Sequence, residues 1–135
     1  MKRVTLALAL VFLSVASFSY AQQQPLAVTI TKPQLNATVE QRDTVSGAVS
    51  DRQAKVWVVV HPTGTNSFWV QPPTTLNADG TWSVLAYFGR EGSLDKGNLY
   101  EVRAFANPSE PLRSGERSNW PPAAAQSQGV AVTRK

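Results

Sequence analysis

The chain has 135 residues, with 13 lysines and arginines against 9 aspartates and glutamates, one histidine, no cysteine and a formal charge of +4. Without cysteine there is no disulfide framework, no thiolate metal site and no lipid attachment through an N-terminal cysteine. A lone histidine with scattered acids also lacks the clustered ligands a metal centre needs, and so small a basic excess does not steer the chain toward nucleic acid.

The first predicted element is a targeting segment. Lys2 and Arg3 precede an apolar run from Val4 to Val15, and Ser19-Tyr20-Ala21 places small residues where a signal peptidase reads. Residues 1–21 are therefore expected to be a signal peptide, directing the chain to the periplasm or outside the cell. A retained membrane anchor is the alternative, but Ser14, Ser17 and Ser19 dilute the run before it reaches roughly 20 residues. Removal of residues 1–21 leaves 114 residues, with 11 basic and 9 acidic side chains. That length suits one domain, with a core that packing alone can hold.

Residues 22–25 read as a flexible polar spacer, and residues 26–135 as the domain. Leu26, Val28 and Ile30 alternate with polar neighbours, which predicts a half-buried strand. Lys32-Pro33 interrupts it, and a short piece around Val39 is expected to resume pairing. Val45, Gly47 and Val49 share a face of the next strand, which ends at the polar turn Asp51 to Ala54.

The densest apolar and aromatic stretch after the targeting segment is Val56 to Pro73. In its first strand Val56, Val58 and Val60 line one face, while Lys55, Trp57, Val59 and His61 line the other. The all-valine face is the expected core side, which turns Trp57 outward. Pro62 to Asn66 turns the chain, Ser67 to Gln71 returns it, and Pro72-Pro73 blocks further pairing where a crossing to a second sheet is expected. Asn77-Ala78-Asp79-Gly80 is a turn, since Asn and Asp bond nearby amides and Gly supplies a positive φ.

Thr81 to Phe88 is another strand, with Trp82 inward, and Gly89 to Asn98 a charged, glycine-rich loop. Tyr100, Val102, Ala104 and Ala106 then alternate with Glu101, Arg103, Phe105 and Asn107. Tyr100 is expected in the core. Pro108 to about Gln128 carries four prolines and no period and reads as one long loop; Gly129 to Arg134 supplies the closing strand. Turn signals about every ten residues predict an all-β fold, an antiparallel immunoglobulin-like β-sandwich of about seven strands with Greek-key connections.

The segments Val28 to Pro33, Val45 to Val49, V-W-V-V-V-H-P (Val56 to Pro62), W-V-Q-P-P (Trp69 to Pro73), D-G-T-W (Asp79 to Trp82), Y-E-V-R-A (Tyr100 to Ala104) and Ala106 to Pro108 together resemble uncharacterised bacterial secreted modules of immunoglobulin-like type. The resemblance spans Val28 to Arg134 and implies an adhesive, spacer or ligand-binding part of an exported protein. It brings no functional residues with it. Unlike antibody-type domains, this chain lacks the inter-sheet cysteine pair.

Catalytic chemistry has little to draw on. His61, the one candidate base for a hydrolase, sits at a strand end before Pro62, where capping a turn is the simpler role. Glu91 and Asp95 share one loop, which does not fix two carboxylates across a cleft. Asn77 and Asp79 are too few for the six to eight oxygens calcium prefers, and Asn36-Ala37-Thr38 matches a glycosylation acceptor only by chance. No catalytic, cofactor or metal residue is assigned.

The aromatic residues are the stronger lead. With the valines inward, Trp57 and Val59 meet Arg103 and Phe105 on the outer face of one sheet, with Trp69 expected beside them and Gln71 and Arg103 as hydrogen-bond donors. Such a patch suits a protein of the cell envelope as partner or, stacked on sugar rings, a polysaccharide. The competing expectation is that Trp120, between Asn119 and Pro121-Pro122, folds the long loop over this face and buries it as a second core.

Overall fold

A computed structural model describes residues 24–135; the segment read as a signal peptide and the start of the polar spacer lie outside the described residues. The chain forms β1 (Val28–Lys32), β2 (Ala37–Val39), β3 (Arg42–Val49), β4 (Val56–Pro62), β5 (Phe68–Val70), β6 (Thr75–Leu76), β7 (Thr81–Tyr87), β8 (Leu99–Pro108), β9 (Gly115–Arg117), β10 (Ala123–Gln126) and β11 (Val130–Arg134). One sheet has the order β1-β3-β7-β6. The other runs β2-β11-β8-β4-β5-β9, with β10 also against β8. All pairings are antiparallel except β11 with β2. The two sheets pack face to face as an immunoglobulin-like sandwich, with crossings between sheets after β1, β2, β3, β5 and β7.

Prolines punctuate two of these crossings. After β1 the chain passes Pro33 and joins the opposite sheet as β2; after β5 it passes Pro72 and Pro73 and joins the smaller sheet as β6. Proline lacks the donor that would prolong the ladder, so the strand ends where the crossing begins. The frame of about seven strands expected from the sequence is present. The additional strands are short pieces at crossings and within the segment read as a long loop.

The core is built from period-two alternation. Val45 and Val49 of β3 and Trp82, Val84 and Ala86 of β7 face Val56, Val58 and Val60 of β4 and Tyr100, Val102, Ala104 and Ala106 of β8, all buried in one cluster with Phe88 and Val132. Burial of each valine contributes about 1.5 to 3 kcal/mol, enough to replace the missing disulfide. Gly47 lets β1 and Trp82 close on β3: a Cβ there would stand 1.8 Å from the Thr29 carbonyl oxygen and 2.6 Å from the indole. No helix among the described residues is long and apolar enough to cross a membrane.

Residues 109–128 are not one loop. The chain leaves β8, runs beside β5 as β9, and returns across the outer face to pair again with β8 as β10. Ala123 to Arg134 is in effect a single strand along β8, interrupted at Ser127, whose Oγ accepts from the Ala104 amide. Composition without periodicity hid both short strands, because their pairing is decided by partners far away in sequence.

Candidate functional site

The outer face of the larger sheet is where the aromatic residues were expected to lie exposed. Trp57, Val59 and His61 of β4 are in register with Phe105, Arg103 and Glu101 of β8, which confirms the shared face. The face is covered, however. Val59 is fully buried, Phe105 is 1% exposed, and Trp57, Phe68, Leu112, Trp120 and Ala123 pack against them. The Trp120 ring lies 4.8 Å from Phe68, 5.5 Å from His61 and 5.9 Å from Phe105, and the Arg103 guanidinium sits 4.4 Å from its centroid. Of the two expectations for this face, the free aromatic surface at Trp57 and Phe105 is corrected and the covered one is what the structure has: the returning segment, with Trp120, makes it a second core.

His61 belongs to this cluster. Its ring stacks on Phe68 at 4.0 Å and 5°, and its Nδ1 is 2.8 Å from the Ser67 carbonyl oxygen, which ties the β4–β5 turn. Arg103 donates to Glu101 through Nε and Nη2, at 3.0 and 2.8 Å. Asn77 and Asp79 serve their turn as expected, both bonding Thr81. The hydroxyl and amide of Thr81 hold the Asp79 carboxyl below its ordinary value. Among the described residues no three acids or histidines are grouped as metal ligands.

Trp69 lies on the opposite side of the sheet from this cluster. Its register partner is Val60, which points into the main core, whereas Val70 pairs with Val59. The smaller sheet does not reach over this end of β5, so the Trp69 side chain stays 42% exposed on the rim of a groove of about 610 Å³. The groove is lined by Val60, Pro62, Trp69, Val70 and Tyr100 from the larger sheet, by Tyr87 from the smaller sheet and Gly89, Arg90, Asp95 and Asn98 from the segment after it, and by Thr65, Ser67, Gln71, Pro72 and Ser114. Tyr87 is also 42% exposed.

Gln71 fixes the two walls relative to each other. Its side chain is 3% exposed, donates from Nε2 to the Trp69 carbonyl at 3.0 Å and accepts at Oε1 from the Tyr87 amide at 2.8 Å. Gln71 is therefore no free donor at a surface, which corrects that expectation. It spans the gap between the sheets.

The segment 89–98 forms the far wall, and it is held by two charged residues. Arg134 is 4% exposed and donates to the carbonyl oxygens of Phe88, Arg90 and Gly92 at 2.9, 2.7 and 2.6 Å. Asp95 accepts from the Arg90 backbone N–H at 2.6 Å, from Arg90 Nε and Nη2 at 3.1 and 2.9 Å, and from Asn98. These Arg90 bonds bring the Asp95 carboxyl down to about 2. Burial pushes the Tyr100 phenol up, and the neighbouring Asp95 charge adds to it. The glycine-rich stretch is thus a built wall rather than a loose charged loop.

No protein-family model matches the chain, and no curated protein shows significant similarity to it. Of the residues expected to form a site, Trp57, Arg103, Phe105 and Trp120 come together as a covered cluster, while Trp69 and Gln71 belong to the groove. Tyr87, Arg90, Asp95, Asn98 and Tyr100 were missed as groove residues. Alternation along Thr81 to Phe88 does place Tyr87 opposite Trp82 and so outward, which is the one signal that pointed to it.

Proposed function

We propose that the chain is a non-enzymatic, immunoglobulin-like interaction module of an exported protein, binding a protein partner at the cell envelope through the groove between Trp69 and Tyr87. The observation that carries this reading is a pair of half-exposed aromatic residues lining one concavity, Trp69 from the larger sheet and Tyr87 from the smaller, with Gln71 bonded to the backbone of both. Preorganised aromatic walls lose little freedom on binding, and Trp and Tyr are common anchors of interfaces. Export rests on the basic and apolar opening from Lys2 to Ala21.

The polysaccharide reading placed its platform on the outer face with Gln71 and Arg103 as donors. Those donors are engaged, Gln71 with Trp69 and Arg103 with Glu101 and Trp120, so the protein partner is the better supported ligand. A hydrolase would draw on His61, whose stacking on Phe68 and bond to Ser67 give it a packing role instead.

The test is site-specific photo-crosslinking in cells that export the chain, with the crosslinker at position 87 and a control at Thr29 on the far strand of the smaller sheet. An adduct with a protein at position 87, lost on Trp69→Ala and absent at position 29, is the expected result. Equal labelling at both positions, or labelling indifferent to Trp69, overturns the groove as the contact surface.

A further inference from the structure

Along one side of the sandwich, β10 and β1 turn backbone groups away from the strands they pair with. The Ser127 amide donates to the Ala104 carbonyl at 2.8 Å, and Ala123, Ala125 and Gln126 keep the same antiparallel register along β8. Alternation then directs the backbone groups of Ala123 and Ala125 to β8 and those of Ala124 and Gln126 outward, and Ala124 and Gln126 are both exposed. β2 covers the neighbouring β11 but not β10. In the other sheet the Ser50 amide donates to the Ala27 carbonyl at 2.9 Å, which sets Ala27 and Thr29 toward β3 and leaves Val28 and Ile30 facing outward. β1 and β10 come close to each other here, with Leu26, Ile30, Ala125 and Val130 partly buried over the core.

Sheet edges are ordinarily blunted by proline, charge or brevity. The other edges of this fold are blunted in those ways. β6 has two residues and follows Pro72-Pro73, β2 has three and ends beside the Glu40–Lys135 ion pair, and β9 has three with Glu116 and Arg117 among them. β1 is blunted only at its Lys32-Pro33 end. β10 contains no proline, and no charged residue stands between Arg117 and Arg134 or from Gln22 to Thr31. Arg103, whose Nη1 reaches Gln126 Oε1 at 3.4 Å, is balanced by Glu101.

We infer that the β10 edge, with β1 beside it, pairs with the same edge of a second copy of this chain in a two-fold dimer. Identical strands related by a two-fold axis run antiparallel and bring the same residues together, so a charge on such an edge meets its own kind and destabilises the pairing. An edge without charge accepts its own copy, whereas an edge built for a different partner gains from charge complementary to it. The alanines at 123 to 125 add little bulk against an approaching backbone. An axis perpendicular to the sheets sets β10 against β10 and β1 against β1, so one symmetry operation extends both sheets. The pairing stops at two copies because the remaining edges are blunted. So short an edge buries little area, which makes the dimer a weak one. It lies across β8 and β4 from β5 and Trp69, so the groove stays open in the dimer and the inference does not depend on it.

The test is sedimentation equilibrium of the exported chain from about 10 μM to about 1 mM, with amide hydrogen exchange followed over the same range. A monomer–dimer equilibrium with a Kd of about 0.5 mM or tighter is expected, and exchange at Ala124 and Gln126 should slow as concentration rises. Ala124→Pro removes an outward amide and spares the ladder to β8, so it should weaken the dimer at least about tenfold with the near-ultraviolet circular dichroism of the monomer unchanged. If that variant fails to fold, Gln126→Lys, which adds a like charge to each copy, should weaken the dimer at low salt and regain it at high salt. A monomer at 1 mM overturns the inference, as does a dimer in which Ala124 and Gln126 exchange at the rate of the monomer. Assemblies that grow beyond two copies overturn the closed pairing as well.

Discussion

The guanidinium of Arg103 lies 4.4 Å from the ring centroid of Trp120, on the outer face of the larger sheet. The two residues are neighbours only because residues 109–122 run out to β9 at the edge of the sheet and return across its outer face, so this one contact records where the returning segment goes. Arg103 keeps its charge paired with Glu101 while its plane covers the indole. A surface that alternation presents as an exposed aromatic patch is thereby converted into a second, smaller core beneath the chain's own residues.

Replacing Trp120 with alanine should therefore destabilise the fold without touching the groove. The ring is partly buried against Phe68, His61 and Phe105, so the expected loss is about 2 to 3 kcal/mol, below that of a fully buried tryptophan. Urea denaturation measures the loss, and acrylamide should quench Trp57 more strongly in the variant. Unchanged quenching of Trp57 would mean that Trp120 does not cover it.

Gly47→Ala should be far more damaging than its size suggests. The added methyl would meet the Thr29 carbonyl oxygen and the Trp82 indole at distances no atoms tolerate, so β1 has to move away from β3 or the core has to open. The expected cost is about 3 kcal/mol or more, visible as a lower urea midpoint and faster hydrogen exchange in Val28 to Ile30. Ala48→Gly, one residue along on the opposite face, is the control and should cost about 1 kcal/mol.

How far the sequence reveals this arrangement depends on how local each determinant is. The valine alternation of β4, the inward Trp82 and the crossing at Pro72-Pro73 are set by near neighbours and were legible. The side of Trp69 was not, because it depends on the pairing of Val60 with Trp69 across the turn, and shifting that register by one residue reverses the face. Nor was the burial of Arg134, whose partners are carbonyls at Phe88, Arg90 and Gly92, more than forty residues earlier. Half of the candidate site was invisible for the same reason, since its far wall is assembled by that arginine.

Acid should loosen the far wall of the groove before it unfolds the domain. The Asp95 carboxyl stands at about 2 in the folded chain against 3.8 ordinarily, so its contribution is present above about pH 4. It is lost as pH falls from there through about 2, because the protonated acid no longer holds the Arg90 guanidinium. Asp79 shifts in the same direction through Thr81, so wild type must be compared with Asp95→Asn, which cannot titrate. Urea midpoints of the two proteins should differ at neutral pH and converge in that window. A constant gap between them would show that Asp95 does not titrate with folding.

Arg134→Met should release the same wall at neutral pH. The methionine keeps the apolar bulk of the stem but leaves the carbonyl oxygens of Phe88, Arg90 and Gly92 without the donors they now have, and removes a cation that favours ionised Asp95. With each unpaired acceptor costing about 1 kcal/mol or more, the expected loss is about 3 kcal/mol. The loss should be localised: amides from Gly89 to Asn98 should exchange faster, while Val58, Val84 and Val102 in the main core keep most of their protection. Arg134→Lys offers fewer donors in a different geometry and should fall between the two. Because Gly89, Arg90 and Asp95 line the groove with Trp69, the variant should also weaken binding there while Trp69 itself is unchanged. Uniform loss of protection throughout the chain would instead assign Arg134 to global stability, and the wall would then not be a separate unit.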